Sequence, residues 1–228
     1  MKFVVIEGLD GSGKSTQVNL VKKYFEDNNI SYKYLHFPRT NEPFFGELVA
    51  MFLRGDFGSL DQVNPYLVAM IYAGDRKDAD ILIRKWLDEN CLVLVDRYVF
   101  SNIAFQCAKL ENKNEREKLK NWILELEFKH FGIIKPNLSI FLDVPFEFTK
   151  NNLTNQRQGD DRDYLKGKVD IHEANLDFQK TVRDVYLNAV EKEENFFKIE
   201  CAANGEMLPI NEINQKIIQT LIQQGIVR

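Results

Sequence analysis

The chain has 228 residues, 44% of them hydrophobic and 28% charged, with 30 basic and 34 acidic side chains giving a net charge of −4. This composition supports a folded core and excludes a disordered chain, a collagen-like chain and a disulfide scaffold. The acidic balance argues against a nucleic-acid polymer as partner, and Cys91, Cys107 and Cys201 are spaced for neither zinc nor a disulfide framework, so reduced thiols in a cytoplasmic protein are expected.

Phe3-Val4-Val5-Ile6 is a short apolar run rich in β-branched residues and predicts a buried strand. It breaks at once into Glu7-Gly8-Leu9-Asp10, too soon for a signal peptide. No stretch reaches the ~20 apolar residues of a membrane span, so no membrane partner is expected. Val18, Val21 and Phe25 recur at helical spacing and predict a helix from Lys14 to Asp27. A second strand is expected over Ser31–Phe37, then helices over Pro43–Leu53 and Pro65–Leu87. Cys91–Val95 reads as a third strand, and Leu119, Trp122, Ile123 and Leu126 form one face of a helix. Leu138–Leu142 is the fourth strand, with a helix from Pro145 to Leu153. Asn155–Val169 is polar, charged and glycine-containing, and reads as a mobile loop. Val182, Val185, Tyr186 and Ala189 stripe a long helix, Phe196–Ile199 is a last strand, and Ile213, Ile217, Ile218 and Leu221 stripe the final helix. The alternation predicts an α/β fold in one domain over 1–228, with a parallel sheet of about five strands flanked by helices on both faces. Ligands of such sheets bind at the carboxyl ends of the strands.

At the end of the first strand stands Gly8-Leu9-Asp10-Gly11-Ser12-Gly13-Lys14-Ser15-Thr16, the G-x-x-x-x-G-K-[ST] pattern between a strand and a helix. Its glycines let backbone N–H groups turn inward on phosphate oxygens. Lys14 supplies a point charge to the β- and γ-phosphates, the Ser15 hydroxyl suits Mg²⁺, and the helix start faces the anion. A nucleoside triphosphate with Mg²⁺ is the expected ligand pair. Arg39 after the second strand, Arg97 after the third and Arg76 on the helix between them should converge near the strand ends. Arginine forks suit a second phosphate. His36, His130 and His172 have no metal-like spacing and read as structural.

Glu7 to Thr16, Phe37-Pro38-Arg39, Asp75-Arg76 and Asp96-Arg97-Tyr98-x-x-Ser101-Asn102-x-x-Phe105-Gln106 together resemble the thymidylate kinase family. The resemblance implies a P-loop NTPase-type fold with a lid over about 155–169, and ATP-dependent phosphorylation of dTMP to dTDP toward dTTP biosynthesis. It implies that Gly8, Asp10, Gly11, Ser12, Gly13, Lys14, Ser15 and Thr16 cradle the ATP phosphates. Asp10 would also accept from the sugar 3′-hydroxyl, while Arg39 and Arg97 hold the 5′-phosphate beside Phe37. Tyr72 would stack on thymine, Arg76, Asn102 and Gln106 would meet the base edge, and Phe105 would crowd a 2′-hydroxyl. Asp96 would bind Mg²⁺ through water, and a homodimer would form through helices packed side by side.

Some members of that family carry an arginine in the position of Gly11. Its absence here implies that Arg157, Arg162 or both supply catalytic charge from the lid. The adenine is expected near the loop Cys201–Gly205. A deoxynucleoside kinase using Glu42 as base, a non-catalytic nucleotide switch and a monophosphate kinase for another base are the rival readings.

Overall fold

The computed structural model describes residues 2–154, 160–168, 170–173 and 175–228. β1 (Lys2–Gly8) is buried from Phe3 to Gly8, because its residues serve two faces. Val4 and Ile6 pack on one side against Val18, Val21 and Phe25 of α1 (Lys14–Asp27) and Ile213, Ile217 and Leu221 of α8 (Ile210–Gln223). Phe3 and Val5 pack on the other side against Ile83 of α3 (Pro65–Asp88), Ile103 of α4 (Val99–Cys107) and Leu119 and Ile123 of α5 (Lys113–Leu124). Side chains alternate across a strand, so one short apolar run fills two cores, each buried residue adding about 1.5–3 kcal/mol.

β2 (Tyr32–His36), β3 (Leu92–Asp96), β4 (Leu138–Asp143) and β5 (Phe196–Glu200) complete a five-stranded, fully parallel sheet in the order β2-β3-β1-β4-β5. The pairs Ile6–Asp96, His36–Asp96 and Gly8–Leu142 bring the carboxyl ends of four strands to one edge. α2 (Phe45–Leu53), α6 (Phe146–Thr154) and α7 (Leu176–Lys192) crowd around that edge, and a third apolar cluster that includes Leu9, Phe52, Phe105, Phe178 and Tyr186 underlies it. α4 presents no stripe in the sequence because Val99 and every residue from Ser101 to Cys107 are buried. The helix that begins with α5 continues as a π-helical turn over Glu125–His130. Beyond β5, the segment read as a loop carries a small hairpin of β6 (Ala202–Ala203) and β7 (Glu206–Met207). Of the segment read as the lid, Asp160–Leu165 forms a 3-10 turn, and 155–159 and 169 lie outside the described residues.

Gly46 allows α2 to lie against the turn after β2. A Cβ there would stand 2.1 Å from the carbonyl oxygen of Arg39, so that backbone would have to move. Gly46→Ala is expected to displace the Arg39 turn and, with Arg39 in the acceptor-phosphate role that the resemblance implies, to raise the KM for that acceptor about tenfold with a smaller change in kcat; steady-state kinetics reads the split.

Candidate active site

Two cavities lie end to end at the carboxyl edge of the sheet. The smaller, about 340 Å³, is bounded by Leu9–Thr16, Arg97 and Asn152. The larger, about 430 Å³, opens over Arg39, Tyr72, Arg76, Asn102, Phe105 and Gln106. Asp10, Lys14, Ser15 and Arg97 belong to both walls.

The smaller cavity has the form of a phosphate cradle. Gly11 and Gly13 take left-handed backbone conformations, φ 74° and 76°, that side chains resist. α1 begins at Gly13 without a side-chain cap or an acidic residue in its first turn. By contrast, α3, α5 and α7 are capped by Asn64, Asn112 and Asn175. The uncapped N–H groups of α1 are open to an anion. A Cβ on Gly11 would lie 3.1 Å from the carbonyl oxygen of Thr149 and 3.3 Å from the side chains of Asn152 and Leu153. α6 thus leaves little room for an arginine at position 11.

Lys14 is ion-paired with Asp96. Burial alone would raise the Asp96 pKa, but Lys14 and His36, whose Nδ1 stands 3.3 Å away, outweigh it and hold the carboxyl well below its usual range. Asp96 is therefore an ionised hard-oxygen group beside the cradle, with the Ser15 hydroxyl in the shared wall. Among the described residues no cluster of three or more His, Cys, Asp or Glu side chains could hold a metal ion. Mg²⁺ is commonly shared between one or two protein oxygens, water and phosphate, and the Ser15 hydroxyl and the Asp96 carboxylate are oxygens of that kind.

The three arginines do converge, each with its own partner. Arg39 is gripped by Asp75, its Nε donating to Oδ1 at 2.8 Å and its backbone N–H to Oδ2 at 2.9 Å. Arg76 is almost fully buried and bidentate with Glu127, at 2.5 and 2.7 Å. Arg97 sits at φ 67°, a left-handed conformation unusual for a side chain other than glycine. Its Nη2 donates to Asp10 Oδ1 at 2.6 Å, Nη1 to Ser101 Oγ at 3.3 Å, and its guanidinium lies 5.1 Å from the Phe105 ring centre. Glu7, buried beneath, accepts from Tyr98 N–H at 2.9 Å and from the Ser101 hydroxyl at 2.5 Å, tying β1 to the turn that carries Arg97.

Asn102 donates its amide N–H groups to the carbonyl of Ala69 at 3.0 Å and to Glu127 at 3.1 Å. Both partners are acceptors, so the amide orientation is fixed. Its Oδ1, like Gln106 Oε1, is buried without a hydrogen-bond partner among the described residues. Tyr72 stands with its ring edge-on to Phe52, 6.4 Å between centres, and Phe37 lies in the same wall. Arg157 lies outside the described residues, and Arg162 falls in the 3-10 turn.

Asp75, Glu127, Asp170 and His172 join the site without a role predicted from sequence. His172, read there as structural, lines the larger cavity between Phe105 and Phe178, with ring centres 4.9 and 5.6 Å away. Burial and then Lys109 push its imidazole down to about 3, so it is neutral. Asp170 accepts from the Tyr164 hydroxyl at 2.9 Å and from His172 N–H at 2.8 Å. Burial and then Asp10 push its carboxyl up to about 7. The unfolded chain releases this proton near 3.8 and the folded chain near 7, so stability falls as pH rises through that window and the deficit is full above it. Asp170→Asn is expected to stabilise the fold by about 2–4 kcal/mol at pH 8 and little at pH 4, read by urea denaturation.

The thymidylate kinase family model matches residues 6–217. The chain belongs to the thymidylate kinase family. It is 30% identical to the thymidylate kinase of Mycobacterium tuberculosis over 185 residues, 81% of this chain and 83% of that protein. The thymidylate kinase of Plasmodium falciparum is 28% identical over 208 residues, 87% of this chain and 92% of that one. A probable thymidylate kinase of Saccharolobus solfataricus is 28% identical over 99% of this chain and 98% of its own length. The solved thymidylate kinase of Candida albicans superposes with a TM-score of 0.72 at 21% identity, covering 98% of this chain and 92% of that one, and shares the fold. Membership makes the protein a nucleoside monophosphate kinase, a phosphotransferase.

Proposed function

We propose that the protein transfers the γ-phosphoryl group of ATP directly to dTMP, giving dTDP and ADP for deoxynucleotide biosynthesis. One observation carries this reading: a phosphate cradle and an acceptor-sized cavity share the wall of Asp10, Lys14, Ser15 and Arg97. An oxygen of the acceptor 5′-phosphate attacks the γ-phosphorus in line, and the bond to ADP breaks. At neutral pH that oxygen needs no base, so positioning and electrostatic stabilisation supply the rate. Lys14 and the cradle N–H groups hold the donor phosphates, while Arg39 and Arg97 hold the acceptor phosphate. Ser15, and Asp96 through water, are the residues to hold Mg²⁺, which neutralises phosphate charge when bound. The crowding at Gly11 supports catalytic charge from Arg157, Arg162 or both, on a lid that closes over ATP.

The base edge favours a pyrimidine with an N3–H. Asn102 has its amide nitrogen committed and its carbonyl oxygen free, so it accepts. Thymine and uracil donate at N3, whereas cytosine does not. Arg76 donates toward the base, the Gln106 amide meets the same edge, Tyr72 stacks on the ring and Phe105 packs against the sugar. The adenine of ATP belongs near Cys201–Gly205. Homodimerisation through α3 would cover Leu67, Met70, Ile81 and Leu82, which are exposed on that helix. Three free cysteines fit a reducing cytoplasm.

ADP release with ATP and Mg²⁺ tests the reading across dTMP, dUMP, dCMP, UMP and thymidine. Turnover should be strong with dTMP and at least about tenfold weaker with dCMP, which leaves the Asn102 acceptor unmet. Turnover on thymidine but not on dTMP would overturn it and make Glu42, which also lines the larger cavity, the candidate base.

A further inference from the structure

Asp10 presents a carboxylate at the meeting point of the two cavities, and its value to a ligand depends on where its lone pairs point. The terminal torsion of an aspartate is broad, so a single donor leaves the group free to turn. Arg97 Nη2 occupies Oδ1 at 2.6 Å. The second donor comes from a residue 169 positions later: Gln179 Nε2 reaches Oδ2 at 3.0 Å. The other N–H of the same amide goes to the carbonyl oxygen of His172, also at 3.0 Å. Both partners only accept, so the NH₂ end must face them. Gln179 is fully buried on α7, and its Oε1 has no hydrogen-bond partner among the described residues. Its amide therefore acts through its donor end, with an acceptor left unmet.

We infer that Gln179 is a positioning residue for the acceptor sugar: with Arg97 it clamps the Asp10 carboxylate so that its remaining lone pairs face the 3′-hydroxyl. The clamp also fixes His172, whose own backbone N–H is held by Asp170, so the sugar side of the larger cavity is tied to the phosphate cradle. Arg97 and Gln179 both lower the Asp10 pKa against the effect of burial, which keeps the carboxylate an acceptor. The inference rests on the reading that Asp10 meets the 3′-hydroxyl.

The test compares kcat/KM for dTMP and for 3′-deoxythymidine 5′-monophosphate in the wild type, Gln179→Met, Asp10→Asn and the double variant. The wild type should prefer dTMP by at least about tenfold, the worth of one hydrogen bond to a charged group. Gln179→Met should cut that preference to about threefold or less, chiefly through KM for dTMP, and adding Asp10→Asn should change it little more. A merely structural role would lower both acceptors alike. If the wild type prefers dTMP and Gln179→Met keeps that preference in full, the clamp is refuted while the Asp10 reading stands. If the wild type shows no preference, the Asp10 reading fails and the inference with it. Should Gln179→Met not fold, isosteric Gln179→Glu read from pH 6 to pH 9 gives the same ratio, which must fall as the new carboxyl ionises and loses the proton it could donate to Asp10.

Discussion

Arg97→Met should lower kcat/KM for dTMP by about a thousandfold or more, a loss of roughly 4 kcal/mol of transition-state stabilisation. The guanidinium lies in the wall shared by both cavities, where the proposed transfer would move charge from one phosphate to the other. It also holds Asp10 at 2.6 Å and lies over Phe105, so three parts of the site depend on it. Arg97→Lys keeps the charge but not the fork, and should recover only part of the loss. Steady-state kinetics with near-ultraviolet circular dichroism separates this from unfolding. Retention of activity within about fivefold would make Arg97 a structural partner of Asp10 and move the acceptor phosphate elsewhere.

Glu127→Leu should be the largest single loss of stability, about 3–5 kcal/mol, because it strands the Arg76 guanidinium in the core. For a chain of this size that lowers Tm by roughly 10 °C. Glu127 takes two bonds from Arg76 and one from Asn102, so the base edge should loosen as well. The double variant Arg76→Met/Glu127→Leu removes both charges and should regain most of the stability without regaining affinity for dTMP. Calorimetry checks the first claim and dTMP titration the second. A Tm within about 2 °C of wild type for Glu127→Leu would show that the buried pair contributes little.

The strands were legible mostly as short apolar runs, and most helices by the helical spacing of their apolar residues. The G-x-x-x-x-G-K-[ST] pattern was legible because its residues are contiguous and each has a chemical task. Arg39, Arg76 and Arg97 could be placed near one another because each falls at or between strand ends. Their partners could not be read. Glu127 lies 51 positions from Arg76 on a π-helical turn, and nothing in the local sequence joins them. α4 escaped notice because a helix buried all round has no polar face to set a period. Gln179, on α7, and His172, in the segment before it, enter the site through contacts with Asp10 and Phe105, far away in sequence. A histidine without metal spacing gave no sign that its ring would line a nucleotide-sized cavity. Asp75 stood beside Arg76 in the family pattern, yet the structure shows it gripping Arg39.

The proposed acceptor is the monophosphate itself, held where the two cavities meet. Single turnover with γ-labelled ATP, Mg²⁺ and an equimolar mixture of unlabelled dTMP and thymidine decides it, with the labelled product resolved by chromatography and phosphorus NMR. The label is expected in the β-phosphate of dTDP at the rate at which ADP forms. Label released as inorganic phosphate at that rate, or transferred to thymidine while dTMP stays unchanged, would contradict it.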